Sequence, residues 1–223
     1  MKRLSTFLLV LVTAAVTSCG GGGGSSGTAP AQNLHAANSP AQPMEIASTT
    51  LTATDTSGNT WTVTYSAAAG GMAMFNGQNA NTTVIGLTVS ENGTVIATED
   101  STAYYLSNPY SPLGLAGTTN GTAFMFLITS FTPLPSTLTV GDSGPLFSGT
   151  YYDGTGMNVT GSLTETYTVT ADSPTAVFLN INGTGSNNGS QISETEVFSV
   201  TNSGAVTLVE VKLAVNGETL DFK

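Results

Sequence analysis

The chain has 223 residues, with 14 acidic and 4 basic side chains and a net charge of −10 at pH 7. A surface of this charge repels nucleic acid and anionic lipid headgroups, so both are excluded as partners. Only 8% of the residues are charged, so the polar surface must come mainly from Thr, Ser, Asn and Gly. These residues suit β-sheets and turns and make poor helices.

The first 19 residues have the layout of a secretory signal. Lys2 and Arg3 precede an apolar run at 7–16, too short to span a bilayer, which takes about 20 residues. The run leads through Thr17 and Ser18 to Cys19, the only cysteine. A small residue directly before cysteine resembles the lipobox of bacterial lipoproteins. The resemblance covers residues 1–19 and implies that residues 1–18 are a cleaved signal peptide and that Cys19 becomes an acylated N-terminus.

Two other interpretations of this segment are an ordinary cleaved signal with a stray cysteine and an uncleaved anchor. A single cysteine has no partner for an internal disulfide, which favours the lipid anchor. Two or three acyl chains hold firmly, since each buried methylene contributes about 0.8 kcal/mol. Gly20 follows the cysteine and no Asp stands there, which resembles lipoproteins sorted to the outer membrane. The expected location is the cell envelope, at the outer rather than the inner membrane.

Residues 19–43 are predicted to be the acylated cysteine and a flexible tether. They contain five consecutive glycines at 20–24 and three prolines, Pro30, Pro40 and Pro43. This composition buries too little apolar surface to offset the entropy of ordering it. A coil of this length spans roughly 27 Å. His35, the only histidine, falls in the tether and is predicted to be inert.

Residues 44–223 are predicted to form a globular all-β region. Trp61, Val63 and Tyr65 alternate with threonines, and residues 158–170 alternate between a polar face and a mainly apolar face. Period-two alternation is typical of half-buried strands. The predicted strands are 60–65, 83–90, 102–107, 122–131, 158–170, 175–182, 193–201, 205–215 and 218–222. The strand at 122–131 is apolar on both faces and is predicted to be covered on both.

Turn residues separate the predicted strands. Asn-Gly and Asp-Gly pairs accept the positive φ angles of tight hairpins. Turns are predicted at 55–59, 92–93, 153–154, 182–183, 202–204 and 216–217. The last of these predicts a C-terminal hairpin.

The fold class expected from these elements is an antiparallel barrel or sandwich of about eight to ten strands. Segment 62–67 is similar to 166–171, and 101–107 is similar to 193–199. The halves 44–132 and 133–223 can therefore be a duplicated four-stranded meander, although shared β composition also explains the similarity. Joint closure of the two halves is favoured because it removes exposed strand edges.

Several kinds of chemistry are excluded. Nucleophilic triads and Cys/His zinc sites need residues that this chain lacks outside the signal and tether. No phosphate-binding glycine loop is present, and the loops at 55–59 and 153–158 lack the full set of calcium ligands. No cofactor and no metal is therefore expected.

Carboxylates are the remaining candidates. Glu165 interrupts an apolar strand face, Glu194 and Glu196 share one face, and Glu99-Asp100 is placed at a strand junction. A carboxylate pair can hydrolyse a glycoside. Simpler explanations are a β-bulge that turns Glu165 outward and edge-strand charges at Glu194 and Glu196 that discourage aggregation.

Aromatic residues suggest a second kind of site. Trp61 and five tyrosines can stack on sugar rings or belong to the core, the tyrosines being Tyr104, Tyr105, Tyr110, Tyr151 and Tyr152. Tyr110 is predicted to be exposed because the proline-rich segment 108–112 is predicted to be a loop.

The expected function is that of a non-enzymatic, membrane-anchored envelope lipoprotein that acts as a binding or structural module. Its partners are membrane lipid, through acylated Cys19, and an envelope protein. One alternative is a carrier of a small apolar ligand in a lumen around Glu165 and Tyr167. The other is a glycan-binding or glycan-processing protein that uses Tyr110 or a carboxylate pair.

Overall fold

The computed structural model describes residues 36–38, 46–107, 109–215 and 218–223. Cys19, His35 and most of the tether lie outside these residues, so the statements made about them above stay predictions. Regular structure in the described part is entirely β, and no helix there is long and apolar enough to cross a bilayer. The strands are β1 (Ala36–Asn38), β2 (Ile46–Thr54), β3 (Thr60–Phe75), β4 (Gln78–Glu91), β5 (Thr94–Ser107), β6 (Tyr110–Thr119), β7 (Thr122–Phe131), β8 (Thr137–Thr139), β9 (Ser143–Asp153), β10 (Val159–Ser173), β11 (Ala176–Asn187), β12 (Ser190–Thr201), β13 (Val206–Val215) and β14 (Glu218–Phe222).

Twelve of these strands form one antiparallel sheet in chain order, from β2 to β7 and then from β9 to β14. The two edge strands meet where Thr52 and Lys223 exchange backbone hydrogen bonds, each with an N···O distance of 2.9 Å. The sheet is thus a nearly closed barrel. The all-β antiparallel prediction is confirmed, but eight to ten strands was too few.

Two of the strands that were not predicted contain residues that usually indicate loops. β6 carries Pro112, Gly114 and Gly117, and β9 carries Pro145 and Gly149. Both strands have a partner on each side, and that pairing stabilises them in spite of their composition.

Glycine is required at one of these positions because a ring lies over it. A Cβ atom at Gly149 would lie 2.1 Å from Cζ of Phe126 on the neighbouring strand. The Phe126 ring therefore occupies the space above the glycine, an arrangement found where sheets curve strongly.

Most predicted turns are confirmed. Residues 55–59, 92–93 and 202–204 connect strands, and the β9–β10 turn begins after Asp153. The pairing of β13 with β14 confirms the C-terminal hairpin, whose residues 216–217 lie outside the described part. Three further Asn-Gly turns, not predicted, have positive φ at both residues: 76–77, 120–121 and 188–189.

The turn predicted at Asn182-Gly183 is wrong. Both residues lie inside β11, where they pair with Thr195 and Glu194 of β12. Asn-Gly also fits within a strand where a side chain of the neighbouring strand, here Glu194, occupies the space above the glycine.

One continuous apolar core fills most of the barrel interior. Its largest fully buried side chains are Tyr65, Tyr151, Phe126, Phe147, Phe198 and Phe222. The small β1–β8 sheet packs across β10, β11 and β12, and its region buries Ala37, Leu134 and Leu138 against that core. The predicted inward face of β10 is confirmed from Leu163 to Val169, whereas Val159, beyond a register shift, is exposed.

Strand β7 differs from its prediction. Phe124 and Phe126 are buried, but Met125 and Leu127 on the other face are only half-buried. The expectation that both faces are covered was therefore wrong, and the partly open face belongs to a groove described below.

The two similar segment pairs lie on β3 with β10 and on β5 with β12. These are the second and fourth strands of the two six-strand runs, so each half has six strands in the sheet rather than four. Duplication of the halves stays a prediction.

Candidate functional site

An open groove of about 540 Å³ lies where the β3–β4 hairpin meets β6 and β7. Its walls combine aromatic, aliphatic, amide and hydroxyl side chains, and none of them is charged. The lining residues are Phe75, Asn76, Gln78, Ser111, Pro112, Leu113, Leu127, Ile128, Thr129, Ser130, Phe131 and Tyr152.

One wall depends on the position of Phe75 at the tip of the hairpin. The Asn76-Gly77 turn has positive φ at both residues and reverses the chain directly after Phe75. The Phe75 ring stacks on Tyr104, with 4.2 Å between the ring centroids and 15° between the planes. A Cβ at Gly114 would lie 2.9 Å from Cζ of Phe75, so Gly114 provides the space for this ring.

The opposite wall is supported by a chain of aromatic contacts. Phe131 packs edge-on against Tyr110 with centroids 6.0 Å apart, and Tyr110 contacts Tyr105 at 5.4 Å. Ile128 and Ser130 flank a register shift between β7 and β9, which brings neighbouring residues of β7 to the groove.

The prediction that Tyr110 is exposed was wrong. Tyr110 is the first residue of β6 and only 8% of its surface is accessible, because Phe131 and Tyr105 pack against it. Burial raises the pKa of its hydroxyl far above the ordinary value, so the side chain is neutral. It supports the wall and does not itself line the groove.

The uncharged walls determine what the groove can hold. Aromatic and aliphatic surface favours the apolar faces of a ligand, and the Asn76 and Gln78 amides can bond to its polar edges. On the same hairpin, Met72 and Met74 are 72% and 62% exposed. The sequence signal for this site was that β7 is apolar on both faces. From the sequence, that pattern was interpreted as a strand covered on both faces.

A second unusual feature is a set of four buried carboxyl groups in the interior, here called the glutamate cluster: Glu99, Glu165, Glu194 and Glu196. Glu165 is 1% exposed. The register shift expected beside it exists between Glu165 and Thr166 on the β9 side, but it does not turn the side chain outward. That simpler explanation for Glu165 was wrong.

The other two carboxylate predictions also need correction. Strand β12 lies between β11 and β13, so Glu194 and Glu196 are not on an edge, and both are buried. Glu99 lies within β5 and not at a strand junction, paired with Leu87 and Thr119 on either side.

The missing side chain of Gly183 allows two of these carboxyl groups to approach. Gly183 pairs with Glu165 on one side and with Glu194 on the other. A Cβ at Gly183 would lie 2.8 Å from Oε1 of Glu194. Glu194 therefore leans over the glycine toward Glu165.

In the part of the chain that the structure describes, no basic side chain neutralises the glutamate cluster. Lys212 and Lys223 are the only Lys or Arg residues in the described part, and both are in ion pairs with other carboxylates. The Lys212–Glu210 and Lys223–Asp221 N···O distances are each 2.9 Å. The interior carboxyl groups must therefore be neutral or bear uncompensated charge.

Burial moves these groups toward the neutral form. It raises the pKa of Glu196 to about 8, and that of Glu99 to about 8 against the opposing effect of the Ser101 and Thr119 hydroxyls. Burial, with repulsion from Glu196 and other members of the cluster, raises the pKa of Glu165 and Glu194 well above the ordinary 4.5. At neutral pH most of the cluster consists of neutral acids.

Several polar atoms of this interior have no hydrogen-bond partner among the described residues. They are Oε2 of Glu99, Glu165 and Glu196, Oε1 of Glu194, the Tyr151 hydroxyl and Oδ1 of Asn187. Within the same described part, no group of three His, Cys, Asp or Glu residues is arranged to hold a metal ion. A glycosidase needs its carboxyl pair beside an open groove, and these carboxyl groups are enclosed.

Tyr167, predicted with Glu165 to face a ligand-filled lumen, is also buried. A Cβ at Gly144 would lie 3.1 Å from Cε1 of its ring, so the ring covers that glycine. Tyr167 pairs with Ile181 on the neighbouring strand, within the apolar core. The structure places Glu165 and Tyr167 together in a packed interior, away from Tyr110 and the groove.

Two aspartates that were considered as calcium ligands accept hydrogen bonds within their own turns. Asp55 accepts hydrogen bonds from the Asn59 amide at 2.8 Å and from the Trp61 indole at 3.1 Å. These bonds lower the pKa of Asp55 to about 2. Asp153 accepts bonds from Thr155 and Asn158, which likewise lower its pKa. Hairpin capping accounts for both carboxylates.

Comparison with known proteins finds no matching family model, no similar curated protein and no similar solved structure.

Proposed function

We propose that this chain is a membrane-anchored binding module of the cell envelope that holds an uncharged ligand in the groove between the β3–β4 hairpin, β6 and β7. The lipobox-like sequence before Cys19 supports anchoring through an acylated cysteine at the outer membrane. The combination of aromatic, aliphatic and amide side chains around one open groove carries the binding proposal.

The ligand class that fits these walls best is a neutral glycan. Sugar rings present apolar faces that pack on Phe131 and Tyr152, and hydroxyl groups that bond to amides such as Gln78. A charged ligand would lose its hydration in this groove without gaining an ion pair.

The binding test uses neutral oligosaccharides and the purified whole chain in calorimetric titration. Gln78→Ala should weaken binding about 5- to 10-fold, since a typical hydrogen bond contributes about 1 kcal/mol. Tyr152→Ala should weaken binding at least as much through lost stacking. Gln191→Ala, an exposed glutamine on β12 outside the groove lining, is the matched control and should bind normally. Equal affinities of Gln78→Ala and Gln191→Ala would contradict the proposed site.

The anchoring test is mass spectrometry of the N-terminus of the protein isolated from its host. The expected product begins at Cys19 and carries acyl chains. Cys19→Ala should abolish acylation and release the protein from the membrane fraction. An unmodified Cys19 in the native protein would refute the anchor without affecting the groove.

Exposed methionines favour a protein partner as the second candidate. Met72 and Met74 project from the hairpin beside the groove, and methionine is frequent on adaptable contact surfaces. An envelope protein is expected to lose affinity for a Met72→Ser and Met74→Ser double variant and to retain it for Met157→Ser.

A further inference from the structure

The glutamate cluster draws its members from distant strands of the barrel. Glu99 belongs to β5 and Glu194 to β12, which are six strands apart in either direction around the sheet. Repulsion from Glu99 nevertheless acts on Glu194, after the larger effects of burial and of Glu196. The four carboxyl groups therefore share one enclosed interior although their strands lie far apart in the sheet.

The residues facing the cluster offer no positive charge from any neighbouring strand. Among the described residues the only other ionisable group facing the cluster is the Tyr151 hydroxyl of β9, while Asp100 lies beside Glu99 with its side chain exposed. The remaining neighbours by register are Leu87, Thr119, Phe147, Ile181, Gly183, Val211 and Leu213.

The small number of basic residues in the sequence independently favours a fold that is stable at acidic pH. Most proteins unfold in acid partly because many basic groups repel one another once the carboxylates are protonated. This sequence has only 4 Lys and Arg residues and one His. Its surface therefore gains little repulsive charge in acid, and its negative charge grows as the pH rises.

We propose that the glutamate cluster is a pH-sensitive latch: it leaves the barrel closed while its carboxyl groups are neutral and loosens the barrel as the medium becomes alkaline. The geometry behind this proposal is four enclosed carboxyl groups from three strands, without a counter-ion among the described residues. The latch is independent of the groove and of its ligand.

The sign of the pH dependence follows from proton binding. Between the ordinary carboxyl pKa of 4.5 and a folded pKa of about 8, as for Glu99 and Glu196, the folded chain binds more protons than the unfolded chain. Stability from the cluster is therefore complete below about pH 4.5 and is lost as the pH rises through 8. Asp55, Asp153 and Asp221 act oppositely, because their lowered pKa values contribute stability that is lost in stronger acid. The maximum is expected near pH 4.5 to 5.

The experiment is thermal unfolding of the purified whole chain from pH 4 to pH 9, followed by circular dichroism. The melting temperature should fall by about 10 °C or more between pH 5 and pH 8.5, the effect of one or more protons lost on unfolding in a chain of this size. An indicator dye at pH 6.5 should record net proton release on unfolding. A melting temperature that is constant or rises over this range, or an absence of proton release, would overturn the proposal.

A double variant tests whether these carboxyl groups cause the effect. Glu165→Gln with Glu194→Gln keeps the side-chain shape and should reduce the fall in melting temperature and the number of protons released. Glu91→Gln, near the β4–β5 turn, is the control and should keep the wild-type slope. An unchanged slope in the double variant would refute the assignment, and if that variant fails to fold, proton release from the wild type still decides.

Discussion

The groove and the glutamate cluster differ in where charged groups lie, and both reverse the usual arrangement of charged surfaces and apolar interiors. The open groove has only uncharged walls, whereas the enclosed interior contains four carboxyl groups. Accessible amides and hydroxyls can exchange water for a ligand at little cost, so the groove suits recognition. Enclosed acids without counter-ions respond to protons, so the interior suits control of stability.

The largest expected effect comes from closing the space behind the groove. In Gly114→Ala, the new Cβ would lie 2.1 Å from the Phe126 carbonyl oxygen and 2.9 Å from the Phe75 ring. Backbone must move, and we expect a loss of about 3 kcal/mol in the free energy of unfolding together with loss of ligand binding. Urea unfolding measures the first and titration the second.

The matched control for this substitution is Gly86→Ala. Its new Cβ would meet only the Ser66 hydroxyl oxygen, at 3.2 Å, and that side chain can rotate. Its cost should stay below about 1 kcal/mol. Equal costs for the two alanines would show that the Phe75 wall is not tightly packed.

An intermediate effect is expected in the interior, with a dependence on pH. Glu165→Leu replaces an enclosed acid by an apolar side chain of similar size and should stabilise the fold by about 2 kcal/mol at pH 8.5. At pH 4.5 the gain should be smaller, because the native carboxyl group is then neutral and only the cost of its unpaired oxygen is removed. Urea unfolding at the two pH values separates this result from a general packing effect, which would be equal at both.

The smallest effect on stability is expected at the rim of the groove. Met72→Ser with Met74→Ser removes exposed apolar surface and should change the free energy of unfolding by less than about 0.5 kcal/mol. A larger loss, measured by urea unfolding, would mean that the hairpin methionines are packed. In that case Met72 and Met74 would belong to the core and not to the binding surface.

Local sequence patterns predicted much of the fold. The alternation that includes Leu163, Tyr167 and Val169 gave the correct inward face of β10, and Asn92-Gly93 gave a correct hairpin turn. These predictions succeeded because alternation and turn geometry depend on neighbouring residues along the chain.

The site was less predictable because its residues depend on neighbouring strands. Asn182-Gly183 has the composition of a turn, yet β10 and β12 pair with it on both sides. Strand β7 was predicted to be covered on both faces, but Leu127 on its outer face lines the open groove. Neither outcome follows from residues near it in sequence.

The sequence by itself determined that the chain is β-rich, acidic and poor in basic residues, since composition and alternation act locally and charge is a simple count. It also determined that few basic residues, 4 Lys and Arg in all, exist to neutralise an interior acid. Only the tertiary structure decided that Glu99, Glu165, Glu194 and Glu196 share that interior, because twelve strands must pair and close before distant residues meet. Closure also decided which apolar side chains stay at the surface, where the groove forms.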